Sequence, residues 1–284
     1  MRLSIILPAH NEAERIRPTL DAYIDCFNGR YGDEVEYIII VNGSVDNTVR
    51  VVHEYVTRFK NVKMVDIKDR IGKGGALLRG FHEATGELVG FADADGATPP
   101  EAFQDLVDYI GDAGCIIASR WLPESNVTFK QPLPRRIASR TFNRMVKILF
   151  RIHIHDTQCG AKLLTREAVD RAVFKVSSHF WAFDVDLLFQ VARAGLKVTE
   201  HPTTWHDVAG SKIKVVKSSW EMLLAILRLR LRYSPFRPLV NIADKLVGRH
   251  IFMHRIMQGR LIVQRQREKE RTQRMGVVPK DSSE

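Results

Sequence analysis

Short apolar runs separated by longer stretches of helical spacing set the rhythm of the first 120 residues. The runs fall at residues 3–7, 35–41, 62–67 and 88–92, each too short for a helix and each bounded by polar residues. Between them, residues 11–27, 45–59 and 73–84 begin polar and then repeat apolar positions every three or four residues, which predicts surface helices. The alternation predicts an α/β fold, a mostly parallel sheet with helices on both faces. In such a sheet the loops beyond the C-terminal strand ends form the ligand crevice. A fifth strand, residues 115–119, runs into Arg120. A Pro-containing loop over 122–134 follows as a candidate lid, and then a basic helix from about 135 to 151.

The pattern changes near residue 212. Residues 1–212 read as the catalytic-size domain, 213–263 as basic amphipathic helices suited to a membrane surface, and 264–284 as a polar flexible tail. The most apolar stretch, 220–231, is broken by Glu221, Arg228 and Arg230, so no membrane span is expected. Its Trp220 and Tyr233 ends, leucines and arginines suit an interfacial helix, or one packed on the domain with its arginines outward. The chain passes from Met1-Arg2 directly into its first strand, and the expectation is a cytoplasmic protein, peripheral on the cytosolic face of a membrane.

Composition narrows the partners. With 284 residues and 45% hydrophobic content the chain can bury a full core, and 43 Lys and Arg against 33 Asp and Glu leave a net charge of +10. That charge favours polyanions: phosphates, anionic lipid or nucleic acid. No nucleic-acid module motif is present and Glu268 and Glu270 dilute the basic tail, so nucleic acid is not expected. Cys26, Cys115 and Cys159 match no zinc or disulfide framework and read as structural thiols in a reducing compartment.

The sharpest chemical signal is Phe91-Ala92-Asp93-Ala94-Asp95-Gly96, where a strand runs straight into two carboxylates one residue apart. Oxygen ligands so placed suit Mg²⁺ or Mn²⁺ completed by substrate phosphates. The same residues also suit a strand-end turn with Asp93 as a helix cap. Gly72-Lys73-Gly74-Gly75 precedes a helix and can turn N–H groups and an ammonium toward phosphate, or serve as a Gly-rich cap. Arg120 closes a strand at the same sheet edge as Asp93, and Arg135 with Arg136 opens the next helix. These guanidiniums suit a second phosphate, or else lie on a solvated basic surface. Asp184 and Asp186, set among aromatic residues, require partners, and Asp186 suits orientation of a sugar or an arginine, or a structural ion pair. Lys212, in Gly210-Ser211-Lys212, sits on a turn able to close over a diphosphate.

Taken in order, Leu7-Pro8-Ala9-His10-Asn11-Glu12 after the first strand and the Asp93-x-Asp95 pair resemble the family-2 glycosyltransferases of the GT-A nucleotide-sugar-binding fold. Five further stretches, at 70–76, 92–98, 156–162, 181–186 and 210–212, look like the dolichyl-phosphate β-glucosyltransferase branch, with the dolichyl-phosphate mannose synthases close to it. The resemblance runs to about residue 233. It implies an inverting transfer of a hexose from a nucleotide-sugar to a polyprenyl (dolichyl-type) phosphate. UDP-glucose is the preferred donor, and GDP-mannose or a non-lipid acceptor is the alternative. By the same resemblance Pro8, Asn11 and Glu12 frame the nucleotide, Asp93, Ala94 and Asp95 hold metal and diphosphate, and Lys73 and Lys212 assist the diphosphate. Gln158 lines the sugar pocket, Arg120 and Arg135 hold the acceptor phosphate, and Asp186 lies near the acceptor side. One departure stands out: relatives commonly carry two acidic residues before Gly-Ser where this chain has Val41-Asn42-Gly43-Ser44, which leaves the base, uridine or guanosine, open. Asn42 can still donate to and accept from a base edge.

Overall fold

A computed structural model of the chain describes residues 1–128, 133–177, 182–206 and 215–236, with 238, 240 and 242. Five apolar runs become strands: β1 (Leu3–Ala9), β2 (Val35–Asn42), β3 (Val62–Ile67), β4 (Leu88–Phe91) and β5 (Cys115–Ser119). A two-residue strand β6 (Asn126–Val127) pairs with β9 (Thr204–Trp205) outside the main sheet. Two strands not expected from the sequence, β7 (Lys162–Thr165) and β8 (Val198–Pro202), complete a seven-stranded sheet in the order β3-β2-β1-β4-β7-β5-β8. All pairings are parallel except those of β7, which runs antiparallel to both β4 and β5. Two antiparallel steps restore direction, so β4 and β5 end at the same edge as β1 and β2.

β1 and β2 are buried along nearly their whole length, as strands covered on both faces must be. On one face α1 (Ile16–Tyr31) packs with α2 (Thr48–Arg58) and α4 (Pro100–Tyr109), through rings such as Tyr23, Phe27 and Phe103. On the other, α3 (Gly72–Glu83), α6 (Arg166–Ala172) and α7 (Phe183–Arg193) bring Phe81 and Phe183 against Phe91. α5 (Leu133–Phe150) starts earlier than expected and takes Pro134 into its first turn, where a missing N–H costs nothing. The expected loop over 122–134 is therefore shorter and contains β6.

The chain divides into two compact units, Met1–Leu229 and Arg230–Glu284, and α8 (Val215–Arg232) spans the division. Among the described residues no helix is long and apolar enough to cross a membrane. All three cysteines are free, and burial pushes the Cys115 and Cys159 thiols up to about 12 and about 11, which keeps them unreactive.

Candidate active site

The C-terminal edge of β1 and β2 forms one wall. Pro8 still belongs to β1, opposite Ile40, while Asn11 and Glu12 lie in the loop beyond it. Asn11 adopts a left-handed backbone (φ 56°), which Asn tolerates better than most residues. Two bonds hold it there: its N–H donates to Ser44 Oγ at 3.0 Å, and its Oδ1 accepts from the Val45 N–H at 2.9 Å. The Glu12 and Ala13 N–H groups donate to Thr48 Oγ1 and Asp46 Oδ2. Side chains of the facing loop and of the first residue of α2 claim the amides of residues 11–13, so the helix expected from Asn11 begins only at Ile16. The Asp46 carboxylate likewise accepts from the Thr48 N–H, and α2 starts there rather than at Val45. Asn42 is buried at the end of β2, where its amide donates to the Ala9 carbonyl and its Oδ1 is left without a partner. A buried acceptor in that state is an opening for a donor brought by a ligand.

The floor of the crevice is acidic. Asp93 and Asp95 follow β4 directly, and the Asp95 carboxylate accepts from the Ala97 N–H at 3.1 Å. Ala94, between them, is buried, and its carbonyl accepts from Thr19 Oγ1. Lys73 comes from the first turn of α3 and binds Asp93 Oδ1. The Gly72-Lys73-Gly74-Gly75 stretch thus forms the helix start instead of preceding it, with Gly74 and Gly75 buried. Burial works against the Lys73 ammonium, yet the charges of Asp93, Asp184 and Asp95 hold its pKa above the ordinary value. Burial and the neighbouring Asp93 push the Asp95 carboxyl up. Glu12 is raised by burial too, with Asp95 and Asp93 adding to it against the pull of its partner Arg15 at 2.7 Å. Carboxylates crowded in this way favour a cation among them. Among the described residues no group of three His, Cys, Asp or Glu side chains is gathered as a metal site. Two hard-oxygen carboxylates nevertheless fit Mg²⁺ or Mn²⁺, which commonly take one or two from protein and the rest from phosphate and water.

Across β7 from Asp93, Arg120 leaves the end of β5. The buried Asp156 carboxylate accepts from Arg120 Nε at 2.7 Å, from Nη2 at 2.9 Å and from the backbone N–H at 3.1 Å. The guanidinium lies 4.9 Å over the Trp205 ring, and its Nη1 makes no hydrogen bond among the described residues. Arg140 of α5 lies over Trp121 at 5.1 Å. The edge of the sheet therefore presents an acidic pocket and, two strands away, a clamped guanidinium, an arrangement able to hold two phosphate-bearing molecules side by side.

Residues 4–172 match the family described as glycosyl transferase family 2. The chain belongs to that family. It is 34% identical over 243 residues to a dolichyl-phosphate β-glucosyltransferase of Dictyostelium discoideum, covering 81% of this chain and 74% of that one. Two solved structures share the GT-A fold. Glucosyl-3-phosphoglycerate synthase from Mycobacterium tuberculosis, with Mn²⁺, UDP and glucosyl-3-phosphoglycerate, superposes with a TM-score of 0.61 at 17% identity, over 81% of this chain and 79% of that one. The mannosyltransferase PcManGT from Pyrobaculum calidifontis, with GDP-mannose and Mn²⁺, gives 0.56 at 18% identity, over 84% and 68%.

In this family-2 glycosyltransferase the two aromatic-flanked aspartates part company. Asp184, in the first turn of α7, pairs at 2.6 Å with the ammonium of Lys162, which is wholly buried and also donates to the Cys159 carbonyl at 2.7 Å. Asp186 is wholly buried on the same helix and accepts from the Ser177 N–H and hydroxyl and from Gln190. Gln158 sits on the turn after Asp156 and is half-buried. Trp181, Gly210, Ser211, Lys212 and the Arg135 side chain lie outside the described residues. Sequence reading missed Lys162, Asn143 and Glu200. A lysine opening a strand and a glutamate inside one carry no local signal of burial; the only hint is that Asp184 requires a cationic partner.

Proposed function

We propose that this glycosyltransferase moves a hexose, glucose by preference, from UDP-glucose to a polyprenyl (dolichyl-type) phosphate with inversion, at the cytosolic face of a membrane. The observation that carries the reading is the apposition at one sheet edge of the Asp93–Asp95–Lys73 pocket and the Asp156-clamped Arg120. The likeness to the D. discoideum enzyme supports the choice of glucose and of a dolichyl acceptor. The Mn²⁺ in both solved neighbours supports a divalent metal, Mg²⁺ or Mn²⁺, on Asp93 and Asp95.

Bound there, the metal supplies charge neutralisation of the departing diphosphate. Lys73 and Lys212 add positive charge to the same leaving group, while Pro8, Asn11, Glu12 and Asn42 seat the nucleotide and Gln158 faces the sugar. Arg120 and Arg135 hold the acceptor phosphate in line with the anomeric carbon. That phosphate is already an anion at neutral pH, so attack needs positioning and not a strong general base. Asp186, on the same helix as the Asp184–Lys162 pair, lies on the acceptor side and orients the sugar or an arginine. Displacement in one step inverts the anomeric centre.

The lipid tail needs a membrane surface. Leu224 and Leu227 of α8 are exposed beside Arg228, and Leu231 is exposed beside Arg230. Leucines with flanking arginines suit the lipid headgroup boundary. Proton NMR of the lipid-linked sugar formed from the α-linked donor tests the reaction class. A β-linked hexosyl phosphate is expected; an α-linked product, or label passing only to water-soluble acceptors, overturns the proposal.

A further inference from the structure

Arg120 stands at the end of a chain of contacts that begins on β8. Glu200 pairs with Ile117 in the sheet ladder, on the last strand of the sheet. Its carboxylate is only 7% exposed and is spent elsewhere: one oxygen accepts from the Asp156 N–H at 2.9 Å, the other from the His155 N–H at 2.7 Å and from His155 Nδ1 at 2.9 Å. A buried carboxylate that bonds two successive amides fixes that peptide as a rigid unit. Asn143 of α5 does the same one residue on, accepting from the Thr157 N–H and hydroxyl at 3.1 and 2.7 Å.

What this unit holds is Asp156, and what Asp156 holds is Arg120. Two bonds to Nε and Nη2 fix the guanidinium in its plane, and the Trp205 ring beneath fixes the plane itself. Nη1, which makes no hydrogen bond among the described residues, is held in place with them. For an anion that must meet a second substrate in line, a guanidinium fixed in advance is worth more than one that must be ordered on binding.

We infer that Glu200 is a positioning residue for the acceptor: it locks the His155–Asp156 backbone so that Asp156 aims Arg120 at the incoming phosphate. The inference rests on the acceptor role proposed for Arg120. Among the described residues the Glu200 carboxylate bonds only His155 and Asp156, so it reaches Arg120 through Asp156.

The isosteric change Glu200→Gln tests it. One oxygen remains as an acceptor, but the new amide NH₂ faces a backbone N–H, donor against donor, so one of the two amides is released. With a polyprenyl phosphate in detergent micelles, KM for the acceptor is expected to rise about tenfold while KM for the nucleotide-sugar stays within about twofold. Amide hydrogen exchange at residues 155 and 156 should quicken about tenfold or more at an unchanged unfolding midpoint. Combining Glu200→Gln with Arg120→Lys should cost no more than Arg120→Lys alone. Should Glu200→Gln fold poorly, Asp156→Asn carries the same expectation for the two KM values. Parallel rises in both KM values, unchanged exchange, or additive losses in the double variant would overturn the inference. Failure of the unaltered chain to label any lipid phosphate would instead strike the proposed reaction.

Discussion

The Cα of Gly160 lies so close to the Asp93 carboxylate that a methyl group built on it falls 2.0 Å from Oδ2 and 2.7 Å from Cγ. A side chain at 160 would therefore meet the end of the Asp93 side chain, which has to turn aside to admit it. Gly160→Ala must drive Asp93 off its position. The expected outcome is a loss of transfer of about a hundredfold or more with weakened Mn²⁺ binding, since a displacement of about 1 Å costs this much in a positioned site. Mn²⁺ titration followed by electron paramagnetic resonance, beside a thermal melt, separates this from unfolding.

Lys73 neutralises Asp93 while no other cation is there. Lys73→Met removes that competitor and leaves three raised or crowded acidic groups, Glu12, Asp93 and Asp95, without their ammonium. Mn²⁺ alone should then bind several-fold more tightly, whereas KM for the nucleotide-sugar should rise about tenfold through loss of the diphosphate contact. Calorimetry of Mn²⁺ and of UDP checks the two arms separately.

Asp156 is wholly buried and its partner Arg120 is 17% exposed. Removing the carboxylate strands a guanidinium in low dielectric, so Asp156→Ala should destabilise the chain by about 3–5 kcal/mol. Denaturant unfolding at neutral pH measures it, and a loss below about 1 kcal/mol would show that water already reaches the pair.

Stability at acid pH has its own centre, at the opposite edge of the sheet. Burial acts to raise the Glu36 carboxyl, but bonds from Lys63, Ser4 and Thr85 outweigh it and hold the group below its ordinary value of 4.5. A carboxyl lowered on folding contributes stability above its unfolded value and loses it as pH falls through the folded one. Wild type should thus lose this increment on acidification below about pH 4.5, and Glu36→Gln should be flat there and weaker by about 1–3 kcal/mol at pH 7. Denaturant melts at several pH values read both.

Five strands, the three following helices and the position of Asp93 at a strand end were legible, because an apolar run closed by carboxylates is a local pattern. β7 and β8 were not. Lys162 begins β7 with a charge that only a distant Asp184 neutralises, and β8 reads Val-Thr-Glu-His-Pro, with no apolar alternation. The same distance hides the site's supports. Arg120 meets Asp156 across 36 residues, and Glu200 meets the Asp156 amide across 44. Helix starts differ from the expected ones where Ser44 and Asp46 of the facing loop and Thr48 at the start of α2 claim the amides that a helix would have begun with.

The most direct test is transfer of radiolabelled sugar from UDP-glucose and from GDP-mannose into polyprenyl phosphate, with Mg²⁺, Mn²⁺ or chelator, by the wild-type chain and by Asp95→Ala. The account predicts lipid labelling from UDP-glucose that requires metal and falls at least about a hundredfold in the variant. Labelling from GDP-mannose alone would change the donor. No lipid labelling from either donor by folded protein with metal present would contradict the account.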